Sequence, residues 1–157
     1  MHKQAGFTLI EILMVMAILA ILLALVIPGY QQTVRQSRRT EAVSLLTTVA
    51  SLQQQLKTRA GHFTSDTTEL DTTLLKQDYY QLSMVVGDET PLNISTGSSH
   101  VQLDCTADPC FKVIAVAVDS QQADTDCAIF TLDHLGRKRS YDHNGQQNPA
   151  GPDDPCW

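Results

Sequence analysis

From Phe7 to Ile27, 19 of 21 residues are apolar, and the two exceptions are Thr8 and Glu11. No other feature constrains the chain as strongly. A helix of that length is about 30 Å long, the thickness of a bilayer's hydrocarbon core. A secretory signal fits poorly. Its apolar core is shorter, and a small-residue cleavage site should follow; here Ile27-Pro28-Gly29-Tyr30 and Gln/Arg-rich helical sequence follow instead. A passive membrane anchor explains the length but not Glu11, because a carboxylate inside a spanning segment is costly and marks a specific partner.

Beyond Ile27 the character changes. Only 46 of the remaining 130 residues are apolar, and no second run approaches spanning length. A net charge of −6 argues against a dedicated nucleic-acid binder, whose footprint is basic. Enzyme constellations are missing: there is no Gly-rich phosphate loop, no Gly-x-Ser-x-Gly and no His-Glu-x-x-His. His62, His100, His134 and His143 are scattered among polar residues without ligand spacing. No cofactor is expected.

The string Lys3-Gln4-Ala5-Gly6-Phe7-Thr8-Leu9-Ile10-Glu11 resembles the class III leader of type IV pilins and pseudopilins. The resemblance implies a prepilin peptidase that cuts after Gly6, on the cytoplasmic side, and methylates the new amine of Phe7. Residues 1–6 are then a leader, and 151 residues remain. Residues 7–29 serve first as a membrane helix and later as filament core. Residues 30–157 form the globular pilin domain, periplasmic at first and extracellular in the pilus. Implied partners are other pilins and minor pilins, the peptidase and the inner-membrane assembly platform. Glu11 lies one helical turn from the Phe7 amine and is expected to pair with that amine on an adjacent subunit, because an unpaired buried charge is strongly unfavourable. Pro28, followed by Gly29, removes a helical donor and is expected to let the helix bend or partly melt. Family members often carry glycine where this chain has Ala20, so the stretch before Pro28 should unwind less readily.

Periodicity extends the helix over residues 30–60. Ala42, Leu45, Leu46, Val49, Leu52 and Leu56 recur every three or four positions and form one buried stripe. Gly61 suits the position just past the helix. Arg35, Arg38, Arg39 and Glu41 read as solvated or subunit-facing, and Arg39-Thr40-Glu41-Ala42 also resembles a stretch of the pilin helix. Residues 61–78 read as a connection, with a helical turn near Thr68–Leu75. Residues 79–157 hold the strands: Tyr80–Val86, Val101–Cys105, Phe111–Val118, Cys127–Leu132 and a short return over Arg137–Tyr141 after the Asp133–Gly136 turn. One long helix followed by an antiparallel sheet makes an α+β domain. Asp142–Trp157, rich in Gly and Pro, reads as loop.

Four cysteines, at 105, 110, 127 and 156, suit disulfides in an exported domain, and three connectivities are open. The favoured set is Cys105–Cys110, closing a tight loop, and Cys127–Cys156, pinning the tail. The second resembles the disulfide-bounded C-terminal loop of pilins. The segment around Cys127, the Gly136–Ser140 stretch and the Cys156-Trp157 end resemble minor pilins of the PilE type. A zinc site has only Cys-x4-Cys with His100 nearby, so no metal is expected. Asp119, Asp124 and Asp126 read as a solvated acidic loop before a calcium site. Arg137, Lys138 and Arg139 are a candidate DNA contact, weighed against a solvated strand or a subunit contact. The reading is a structural, non-catalytic type IV pilus subunit, a minor pilin serving assembly, twitching or adhesion. A type II secretion pseudopilin and a DNA-binding competence pilin are the alternatives.

Overall fold

The structure, a computed structural model, describes residues 8–70, 78–87, 89–97, 99–106 and 109–157. The leader, the Gly6–Phe7 junction and residues 71–75 of the turn expected near Thr68–Leu75 lie outside the described residues. The chain divides into two units, Met1–Gln36 and Ser37–Trp157.

Helix α1 (Leu9–Ala60) contributes to both units. It starts at Thr8, whose hydroxyl accepts the Glu11 N–H at 3.3 Å and whose carbonyl accepts it at 3.1 Å. Thr8 is thus an N-cap, with Glu11 at the third helical position, where an acid suits the helix dipole. The helix runs through positions 28 and 29. The partial melting expected at Pro28 is therefore not seen. A proline removes one helical donor, and the helical turns before and after it carry the helix past that single gap; Thr33 also returns its hydroxyl to the Gly29 carbonyl at 3.1 Å. At the other end, Gly61 adopts φ 81° and its N–H reaches the Lys57 carbonyl at 3.0 Å. This left-handed residue ends the helix where only glycine does so without strain.

In the second unit, strands β1 (Tyr80–Val86), β4 (Phe111–Ala117), β5 (Ile129–Asp133) and β6 (Lys138–Tyr141) form an antiparallel sheet in the order β1-β4-β5-β6. Strands β2 (Leu92–Thr96) and β3 (Ser99–Leu103) form a separate hairpin. Strand alternation gives the large sheet two apolar faces. Tyr80, Met84, Phe111, Val113, Ala115, Phe130 and Leu132 pack with Ala42, Leu45, Leu46 and Val49 of α1. Val85, Ile114 and Ile129 face the other way and pack with Ile94, Val101 and Leu103 of the hairpin. The sheet is the middle of three layers.

Strand β2 is absent from the sequence reading. Only Leu92 and Ile94 alternate in it, after an Asp-Glu-Thr-Pro stretch that reads as loop. Its pairing with β3, Ile94 opposite Val101, makes it a strand. The tail is also less irregular than expected. A 3-10 turn covers Gly151–Asp153, and Gln147 bridges to Tyr141.

Candidate functional site

The first candidate site is the start of α1. Every residue from Thr8 to Leu25 is exposed, including Glu11. An 18-residue window of this helix has mean hydropathy 3.1 and no part of it buried. Exposed apolar surface on this scale far exceeds what a soluble monomer carries and marks a membrane or protein contact. Glu11 is the acid in its first turn.

The second is the disulfide-bounded end. The structure joins Cys105 to Cys110 and Cys127 to Cys156, with Cα atoms 6.1 and 5.7 Å apart. The longer closure spans 29 residues, worth about 3.5 kcal/mol by chain entropy. Polar contacts support it. Buried Asp154 accepts the Ser140 hydroxyl at 2.7 Å and the Cys156 N–H at 2.9 Å. The Trp157 ring meets Phe130 edge-on at 5.7 Å. The C-terminus is therefore part of the domain core.

The three candidate cations make different contacts. Arg137 folds back on Asp133, Nε to Oδ2 at 2.6 Å. Lys138 pairs opposite Leu132 and holds its ammonium 5.0 Å from the Trp157 ring, on the α1 side of the sheet. Arg139 follows on the alternate face. Burial pushes the Asp133 carboxyl up, but hydrogen bonds from Arg137 and from the Leu135 N–H more than reverse this and hold it below the usual carboxylate value. Arg137 is thus a turn-forming residue. A different grouping appears. Lys112, His134 and Arg137, together with Asp104 and Asp133, line a cavity of about 70 Å³ beside the Cys105–Cys110 bridge. The buried Nδ1 of His134 finds no hydrogen-bond partner among the described residues.

The readings of Arg38, Arg39 and Asp124 as solvated are corrected. Arg39 makes a two-pronged contact with Asp124, Nε to Oδ2 at 2.6 Å and Nη2 to Oδ1 at 2.5 Å. That hydrogen bonding holds the guanidinium above its ordinary pKa. Asp124 is 2% exposed and also accepts from Gln121, which donates to the Tyr80 hydroxyl at 3.0 Å. Burial pushes the Tyr80 phenol up, so it stays neutral. The Arg38 guanidinium lies 3.7 Å from the Tyr79 ring centre. Gln53, fully buried on the apolar stripe, was also missed. Its amide pairs with both the N–H and the carbonyl of Thr64 and so replaces a strand contact at the start of the connection. The available signal was position: Gln53 stands four residues after Val49, on the buried face.

Comparison with known proteins follows this anatomy. Residues 1–27 match a family described as the prokaryotic N-terminal methylation motif. Residues 28–131 match the family described as type IV minor pilin ComP, DNA uptake sequence receptor. The chain is 28% identical to a fimbrial protein of Pseudomonas aeruginosa over 132 residues, 84% of this chain and 80% of that one. It is 50% identical to fimbrial protein EcpC of Eikenella corrodens over 42 residues, 27% of this chain and 28% of that one. Among solved structures, a type IV pilin from Shewanella oneidensis matches with a TM-score of 0.46 and 23% identity, covering 78% of this chain and 97% of that one. A structural subunit with an exposed apolar helix, a helix-backed antiparallel sheet and a disulfide-bounded end, this chain belongs to the type IV minor pilin ComP family.

Proposed function

We propose that the subunit passes from the inner membrane into the pilus by its apolar helix, after the peptidase removes residues 1–6 and methylates Phe7. The observation that carries this reading is the unbroken exposure of Thr8 to Leu25. Such a surface is stable only in lipid or against other helices, so one segment serves in turn as anchor and filament core. In this reading the domain faces the periplasm before assembly, and Glu11 guides register by meeting the Phe7 amine of a neighbour. The testing experiment is recovery of the chain from sheared pili with methylated Phe7 as its first residue.

A second reading, DNA reception on the filament, has its own support. The family that matches residues 28–131 is described as a DNA uptake sequence receptor. Lys112, His134 and Arg137 border one small cavity, and phosphate contacts of this kind supply salt-dependent affinity. Lys112 is the cation to alter, because Arg137 also holds its turn through Asp133. In filter retention of duplex DNA by the full chain in zwitterionic micelles, Lys112→Gln is expected to weaken binding severalfold and to lower the salt slope by about one. An unchanged slope, or no retention by the unaltered chain, contradicts DNA reception at this cavity.

A further inference from the structure

A larger cavity, about 290 Å³, opens where the β2–β3 turn meets the end of β4 and the tail. Thr96, on the buried face of β2, lines one part of it together with the backbone at Ser95, and Gln122 and His143 line another; the Ser95 hydroxyl lies on the other face, paired with His100 Nδ1 at 3.0 Å. Val116, Ala117 and Ala128 supply an apolar wall. Two glycines let the parts approach. A Cβ on Gly97, at φ 52°, would lie 2.3 Å from His143 Nε2, and one on Gly145, at φ 74°, would lie 2.9 Å from Val101 Cγ2. The tail loop is fixed in turn by the His143 N–H to the Thr125 carbonyl at 2.8 Å, and by Asp142, which accepts the Gln146 N–H at 2.8 Å. The cavity is therefore held open by a built scaffold.

Its chemistry narrows the ligand. Thr96 is 6% exposed, and its Oγ1 has no hydrogen-bond partner among the described residues. A buried hydroxyl left unpaired is costly, so this atom calls for a partner in the cavity. Neither Lys nor Arg lines the cavity. A phosphate or carboxylate would therefore find no cation there to replace its hydration. A lipid would leave a buried hydroxyl, an amide and an imidazole without partners. What fits is an uncharged ring with hydroxyls around its edge and a C–H face for the apolar wall.

We propose that this cavity binds a neutral sugar ring, the terminal unit of a glycan, through Thr96, Gln122 and His143. The test is amide NMR of the full chain in phosphocholine-type micelles, which carry no sugar headgroup, titrated with galactose and N-acetylglucosamine and, separately, with deoxythymidine. One of the sugars is expected to shift the Thr96, Gly97 and His143 amides saturably at millimolar concentration. Thr96→Val removes one hydroxyl at nearly constant shape, and Gln122→Leu alters an exposed position that the fold does not need. Each is expected to weaken binding about tenfold. The proposal is overturned if neither sugar shifts these amides, if deoxythymidine shifts them as strongly as the sugars, or if both variants bind as the unaltered chain does.

Discussion

Glu11→Ala is expected to leave processing and membrane insertion intact and to abolish entry into pili. The physical reason is a buried cation. In the proposed filament the Phe7 amine leaves water, and breaking its pair with Glu11 is expected to cost about 3 kcal/mol, or roughly a hundredfold fewer incorporated subunits. The structure raises a competing local role, because Glu11 sits in a Thr-x-x-Glu cap whose first bond, from the Glu11 N–H to the Thr8 hydroxyl, is present. Glutamine separates the two roles. It serves a capping box as well as glutamate does but carries no charge. Under the pairing account Glu11→Gln fails like alanine, while Thr8→Ala, which loses only the cap, keeps most of its assembly. Immunoblots of sheared pili and membranes measure both. Normal assembly of Glu11→Gln would make Glu11 a capping residue only.

Asp124→Ala is expected to destabilise the domain by about 3 kcal/mol, lowering the melting temperature by about 10 °C. Asp124 is 2% exposed, and the Arg39 side chain retains 20% exposure. Truncation strands the guanidinium against a buried wall and strips Gln121 of an acceptor. The energy lies mostly in the charge left behind, not in the pair itself, since apolar replacement of both partners of a buried pair is often neutral. Circular dichroism melts of the full chain in micelles, disulfides intact, measure this. Arg39→Leu combined with Asp124→Leu should recover more than half the loss. A shift under about 2 °C for Asp124→Ala would show that the contact contributes little.

These two residues also mark the limits of reading the sequence. Glu11 stood out in the sequence because a charge within an apolar run is costly and so calls for a specific role. The stripe from Ala42 to Leu56 was legible because helical period and burial coincide, β1 because its apolar residues alternate in the sequence, and β4 because a short, near-continuous apolar run suits a strand covered on both faces. Arg39 and Asp124 stand 85 positions apart; nothing local separates a paired aspartate from the solvated acids around it. The Arg137–Arg139 run is only partly legible for a related reason. Adjacency in sequence does not show that alternation sends Lys138 to the face opposite Arg139, or that Lys112 and Arg137 line one cavity. Gln53 was hidden because its polarity breaks the pattern its position completes.

The central claim is that α1 is an assembly element and not a fixed anchor. Its most direct test places a photoreactive residue at Leu19, one of the exposed positions of the apolar helix, and combines crosslinking in intact pili with mass analysis of the recovered chain. The account predicts crosslinks from position 19 to another pilin's helix, on a chain of 151 residues that begins at methylated Phe7. A chain found only in membranes, crosslinked only to lipid and still carrying residues 1–6, would contradict it.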